Sequence, residues 1–149
     1  MEQGESINLG ALVGYRLKEA QSALRARMDD ELRPLGLTTP QYACLELLSR
    51  SPGASNSELA RGAFVTRQTM NTLLHGLCDR GLVERAAETQ DRRALPMTLT
   101  PEGHRLLSQA ATLIHDIEQQ MVSTLSAAES QQLHQALTHC IDALRTSNV

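Results

Sequence analysis

Aromatic side chains are nearly missing from this chain of 149 residues: it has no Trp, one Phe (Phe64) and two Tyr (Tyr15 and Tyr42). A core without rings must be assembled from Leu, Ala, Met, Val and Ile, which favours packed helices over a sandwich or barrel. Long apolar runs are missing too, and no stretch approaches the roughly 20 residues needed to span a bilayer. The first ten residues carry Glu2 and Glu5 and no basic residue, so they do not read as a signal peptide. The cysteines, Cys44, Cys78 and Cys140, are odd in number and far apart, with no C-x-x-C pair. That speaks against a disulfide framework and suits reduced thiols in a cytoplasm. There is no Gly-rich phosphate loop, no G-x-S-x-G and no H-E-x-x-H, so no enzyme is expected. His104, His115, His134 and His139 form no pair four residues apart, and neither metal nor cofactor is expected.

Lysine is scarce as well; Lys18 is the only one, and the net charge is −3. The charge is unevenly spread. Residues 61–100 hold six arginines against four acids, a balance of +2, whereas residues 101–149 hold two arginines against five acids. A phosphate backbone responds to such a local basic patch and not to the overall charge.

What is present is helical periodicity punctuated by caps. Leu9, Val13, Leu17, Ala20, Leu24, Met28 and Leu32 recur at steps of three or four and predict one long amphipathic helix, closed by Pro34 and Gly36. Thr38-Thr39-Pro40 predicts a new start, with Pro at the first helical position and Tyr42, Leu45 and Leu48 facing inward. Ser51-Pro52-Gly53 ends that helix. Ser55 with Glu58 matches a capping box ahead of a short helix that buries Leu59, Ala60 and Ala63. Thr66 caps the next helix, whose apolar face is Met70, Leu73, Leu74, Leu77 and Cys78, and Gly81 stops it. Residues 82–86 and 97–100 predict two short strands joined by a polar loop that carries Arg92 and Arg93. Thr100-Pro101 opens a helix with Leu106, Leu107, Ala110, Ile114, Ile117 and Met121 in phase. Ser126 and Glu129 open a last one, with Leu133, Leu137, Cys140, Ile141 and Leu144 in phase.

Two helices joined by a tight turn and followed by a hairpin make a winged helix-turn-helix. The expected class is therefore mainly α with a small β-hairpin. A major groove admits one α-helix, and the polar face of the segment 65–81 offers the donors and acceptors for it: Arg67, Gln68, Thr69, Asn71, Thr72 and His75. Arg suits guanine, and Asn or Gln suits adenine. His75, toward the far end, reads as a phosphate neighbour. The competing reading of this face is an ordinary solvated helix; the capped helix before it and the arginine loop after it favour DNA.

The runs Glu58-Leu59-Ala60, Val65-Thr66-Arg67-Gln68-Thr69-Met70 and Leu77-Cys78-Asp79-Arg80-Gly81-Leu82-Val83-Glu84-Arg85 resemble the MarR family of bacterial transcription regulators. So does Asp91-Arg92-Arg93-Ala94 followed by Leu99-Thr100-Pro101-Glu102-Gly103. The resemblance runs end to end. It implies a cytoplasmic homodimer that binds double-stranded DNA at a pseudo-palindromic operator, most simply as a repressor. It also implies a single domain over 1–149, with 1–37 and 101–149 as long dimerisation helices and 38–100 as the DNA-binding lobe. In that pattern Arg92 or Arg93 enters the minor groove and Asp91 braces a neighbouring arginine. The effector pocket of the family lies between the first, second and fifth helices and the lobe. Tyr15, Arg16 and Tyr42 would line it here and would suit a small phenolic or carboxylate effector. Pro96 departs from the pattern, since it cannot donate within the second wing strand, and predicts a short or edge strand. Two further readings are a thiol-based redox sensor, with Cys44 as the thiol, and a winged-helix protein-interaction module without DNA binding.

Overall fold

In the computed structural model of the chain, Ser6 and residues 8–85 and 97–146 are described. The chain divides into two compact units, residues 1–114 and 115–149.

The long stripe expected from Leu9 does not make one helix. Leu9–Ala11 form a single 3-10 turn, Leu12 is extended (φ −82°, ψ 125°), and helix α1 begins at Val13 and runs Val13–Leu32. Gly10 and Gly14 weaken helix propensity at this end. The Asn8 side chain also offers the Gly10 N–H a local alternative at 3.2 Å. Most of the stripe stays open: Val13 is 75% exposed and Leu17 48%, and only Leu32 is fully buried.

After a 3-10 turn at Arg33–Leu35, Gly36 takes a left-handed conformation (φ 70°), and Leu37 turns into the core. Helix α2 is Thr39–Arg50. Thr38 caps it in a complete capping box: the Gln41 N–H donates to Thr38 Oγ1 (3.3 Å) and the Thr38 N–H donates to Gln41 Oε1 (2.9 Å). Because Thr39 is already helical, Pro40 is the second residue of the helix and not the first. Asp29 joins α1 to α2, accepting from the Thr39 N–H (3.1 Å) and hydroxyl (2.6 Å). These bonds hold the Asp29 carboxyl below its ordinary pKa against the opposing effect of partial burial. The inward face of α2 is Cys44, Leu45 and Leu48; Tyr42, expected inside, is only half-buried at its edge.

Helix α3 is Asn56–Ala63 and helix α4 is Arg67–Asp79. Gly81 (φ 72°) ends the second, and strand β1, Val83–Arg85, pairs antiparallel with β2, Met97–Leu99. The register is Val83↔Leu99, Glu84↔Thr98 and Arg85↔Met97. β1 starts one residue later than the 82–86 expected, and β2 ends one residue before the end of the expected 97–100. Asp91, Arg92, Arg93 and Pro96 lie outside the described residues.

Helix α5 is Pro101–Met121. Its first turn is latched to the end of α4: the Thr100 N–H donates to Leu82 O (3.1 Å), and the Thr100 hydroxyl donates to Gly81 O (2.6 Å). That hydroxyl also accepts from the Gly103 N–H (3.0 Å). A Cβ on Gly103 would lie 2.0 Å from Leu82 O. The Leu99-Thr100-x-x-Gly103 motif is thus a packing device: only a residue without Cβ lets α5 start this close to the turn. The core of this unit gathers Leu32, Leu37, Leu45, Leu48, Leu59, Met70, Leu77, Val83, Leu99 and Leu107, each buried.

In the second unit, helix α6 spans Ala127–Thr146 behind a reciprocal Ser126–Glu129 capping box. It has no buried residue. Leu133, Cys140, Ile141 and Leu144 of the expected apolar stripe are all exposed, Leu144 at 76%, and Leu137 is half-buried. The periodicity is real, but among the described residues of this unit nothing covers it.

Candidate nucleic-acid interface

Helix α4 begins where Thr66 Oγ1 accepts from the Thr69 N–H at 3.1 Å. Its inner face is fixed by Met70 and Leu77, both fully buried, with Leu73, Leu74 and Cys78 packed beside them. With that face anchored, the helical period sends Arg67, Gln68, Thr69, Asn71, Thr72 and His75 outward, and all six are exposed. Sequence reasoning singled out these six, and the fold brings them together on one helix of 13 residues.

Their hydrogen bonds differ. The Thr69 hydroxyl accepts from Thr66 Oγ1 (3.0 Å), and the Thr72 hydroxyl donates back to Gln68 O (3.2 Å). Asn56, at the start of α3, donates through Nδ2 to Asn71 Oδ1. Asn71 therefore presents a partly used oxygen and a free amide N–H pair. Asn56 carries no signal in the sequence, because its partner is 15 residues away. Arg80 was missed in the same way: its guanidinium donates to Gly36 O (2.6 Å) and ties the end of α4 to the turn before α2.

The arginines divide by location. On α1 and the turn after it, Arg16, Arg25, Arg27 and Arg33 pair with Glu19, Asp29, Glu31 and Asp30. Arg50 pairs with Glu46 on α2, and Arg105 with Glu102 on α5. Among the described residues, Arg61 of α3 and Arg67 of α4 face no acid within ion-pair distance. Arg80 contacts only a neutral carbonyl. Lys18, Arg85 and Arg145 likewise face no acid among the described residues, so Arg61 and Arg67 place part of the unneutralised positive charge on α3 and α4.

Tyr15 and Arg16 are exposed on the first turn of α1, with Arg16 held by Glu19 at 2.7 Å. They lie fourteen and thirteen residues before Asp29, about 20 Å along the helix. Tyr42 is on the first turn of α2, near that Asp29 joint, and burial together with the nearby Glu46 pushes its phenol pKa up. Cys44, the thiol considered for redox sensing, is fully buried, and burial pushes its pKa up to about 12. Burial of this kind disfavours the thiolate that such chemistry needs. Cys78 and Cys140, placed by periodicity on apolar stripes, are half-buried and exposed respectively. No group of three metal-ligating side chains occurs among the described residues, and none of the described helices is long and apolar enough to cross a membrane.

This geometry has close counterparts. The sequence model of the MarR family matches residues 35–94. The HTH-type transcriptional repressor Rv2887 of Mycobacterium tuberculosis is 40% identical over 127 residues, covering 85% of this chain and 91% of that protein. The transcriptional regulator HosA of Escherichia coli is 30% identical over 117 residues, covering 78% and 85%. The crystal structure of Rv2887 with salicylic acid superimposes with a TM-score of 0.73 at 39% identity, covering 87% of this chain and 96% of that one. That of Rv2887 with DNA gives 0.71 at 38% identity, covering 87% and 98%. A likeness of this degree over most of both chains means that the protein belongs to the MarR family of transcription regulators.

Proposed function

We propose that the chain is a homodimeric transcriptional repressor that grips double-stranded operator DNA with α4 and releases it when a small phenolic or carboxylate effector binds. The observation that carries this reading is the α4 face: six exposed polar side chains opposite an apolar face anchored by the fully buried Met70 and Leu77, beside arginines that no acid neutralises. Arg67 donates to guanine or phosphate, Gln68 and Asn71 read base edges, Thr69 and Thr72 add hydroxyls, and His75 lies by a phosphate. The wing arginines Arg92 and Arg93 enter the adjoining minor groove, with Asp91 as their brace.

Residues 38–100 act as the DNA-binding lobe, and 1–37 and 101–149 dimerise. The open apolar stripes of α1 and α6 support dimerisation, because exposed apolar surface of this kind marks an interaction face. In the dimer the two reading heads sit one helical turn apart, roughly 34–36 Å. Tyr42 serves the effector, and Tyr15 and Arg16, about 20 Å from it along α1, would join it only from the other subunit of the dimer; the relative Rv2887 has been solved with salicylic acid and with p-aminosalicylic acid. The protein acts in the cytoplasm, by binding and not by catalysis.

The test is fluorescence anisotropy on a duplex that the wild-type protein enriches from a random-sequence library, read across a salt series. Affinity should fall steeply with salt. Arg67→Ala and Arg92→Ala should each weaken binding and shallow the slope by about 1–2 per dimer. If both variants keep the wild-type affinity and slope, the assignment of the reading surface fails.

A further inference from the structure

Three helical segments of this chain end in the same turn. In each, the turn residue is left-handed and its N–H donates to the carbonyl three residues back, while the next N–H donates to the carbonyl five back. The bonds are Gly36 to Arg33 O (2.9 Å) with Leu37 to Leu32 O (3.2 Å), and Gly81 to Cys78 O (2.9 Å) with Leu82 to Leu77 O (3.0 Å). At the third turn they are Phe64 to Arg61 O (3.3 Å) with Val65 to Ala60 O (3.0 Å). The residue that follows packs inward every time: Leu37, Leu82 and Val65 all belong to or abut the core. At two of the turns the left-handed residue is glycine; at the third it is Phe64, with φ 59°.

A residue with a Cβ is disfavoured in this conformation, and glycine is not. Packing does not compensate, because Phe64 is 87% exposed, more than any other large apolar residue described. Neither the turn nor the core therefore asks for a ring here. Phe64 stands three residues before Arg67, where α3 hands over to α4. Its exposed neighbours along the chain, Arg61, Gly62, Thr66, Arg67 and Gln68, include two arginines and no acid. A lone ring in cationic and polar surroundings is a poor docking patch for an apolar protein surface. It is well suited to a nucleic acid, whose phosphates flank small apolar groups.

We infer that Phe64 is an apolar DNA contact, packing on a thymine methyl group or a deoxyribose beside the Arg67 end of α4. The inference rests on α4 being the reading helix, and its test separates the two.

The experiment uses the full-length protein and the duplex enriched by wild type. Phe64→Gly keeps the turn and removes the ring. Its melting temperature should equal or exceed that of wild type, while affinity for the duplex falls about tenfold with an unchanged salt slope, because a ring releases no counterions. Replacing single thymines by uracil separates the two partners. If a methyl group is the contact, one replacement weakens wild type and leaves Phe64→Gly unaffected; if a deoxyribose is, no replacement distinguishes them. Phe64→Gly and Phe64→Ala binding within twofold of wild type, while Arg67→Ala loses binding, would overturn the contact alone. A lowered melting temperature in Phe64→Gly would overturn it too, by showing that the ring serves the fold. If wild type enriches no duplex, the DNA reading fails and the contact with it.

Discussion

Alanine at position 103 would put a methyl carbon 2.0 Å from Leu82 O and 3.0 Å from the carbon of the same carbonyl. Ordinary contacts are at least an ångström longer than the first of these. Both obstructing atoms are backbone, so no side-chain rotation can relieve the clash, and the start of α5 must withdraw. Withdrawal breaks the Thr100 N–H bond to Leu82 O (3.1 Å) and the Thr100 hydroxyl bond to Gly81 O (2.6 Å). Two hydrogen bonds at about 1 kcal/mol each, with loosened packing of Leu99 and Leu107 against Leu82, give a cost of about 3–4 kcal/mol. At about 2–4 °C per kcal/mol for a chain of this size, the melting temperature of Gly103→Ala should fall by about 6–16 °C. Gly76→Ala is the matched control. It lies inside α4, and a Cβ there meets nothing within 4 Å. The gain in helix propensity, about 0.5–1 kcal/mol, should raise its melting temperature by about 1–4 °C. Circular dichroism melts at one fixed protein concentration decide the matter, since dimerisation makes the midpoint concentration-dependent. A Gly103→Ala protein melting within 2 °C of wild type, or two shifts of the same sign, would refute the packing account.

Asp29→Asn should weaken the α1–α2 joint by about 1 kcal/mol in urea unfolding at neutral pH, a figure kept low because the carboxylate is partly exposed. Folding lowers the Asp29 pKa from its ordinary 3.8, so its contribution is complete above that value and vanishes as pH falls through the lower folded one. The difference between wild type and Asp29→Asn should shrink across that acid range, and a difference that grows there would contradict the bonding. Cys44, with its pKa at about 12, should resist maleimide at pH 8 in the native protein and react only on unfolding. Mass spectrometry of the labelled peptide reads this directly, and rapid native labelling would count against the burial. Arg80→Ala frees Gly36 O and should lower the urea midpoint by the equivalent of about 1–2 kcal/mol, with Arg80→Lys failing to restore it; an unchanged midpoint would show that the 2.6 Å bond carries no weight.

The parts of the fold that were legible in the sequence are those whose signal is local. Thr38, Ser55, Thr66 and Ser126 announce their helices because a cap and its partner lie three residues apart. Gly36 and Gly81 mark stops because glycine is the common occupant of a left-handed turn. The end of α3 gave no such cue, since Phe64 does there what glycine does elsewhere. The α4 face was readable by complement: once Met70 and Leu77 are inside, the period places Arg67 to His75 outside. Contacts across the chain were not readable. Asn56 meets Asn71 over 15 residues, and Arg80 meets Gly36 over 44. The stripes of α1 and α6 were read as apolar, which they are, but periodicity tells which face is apolar and not which chain covers it. For the same reason the exposure of Cys140 could not be foreseen.

The charge pattern shows how local rules can still decide a long-range property. A chain with net charge −3 is a poor partner for DNA unless its cations are selectively freed. On α1 and the turn after it, every arginine that is paired has its acid three or four residues away, the spacing at which helix neighbours meet. Arg67 has no acid at those spacings. Arg61 does, because Glu58 lies three residues before it, but the Glu58 carboxylate turns back to accept from the Ser55 hydroxyl at 3.0 Å. The start of α3 thereby removes the acid that would have neutralised Arg61. Exposed ion pairs contribute little to stability, typically below about 1 kcal/mol. Their larger effect here is to select which guanidiniums remain available as free cations. It follows that the salt dependence of DNA binding should report the arginines of α3, α4 and the wing, and be almost insensitive to those of α1.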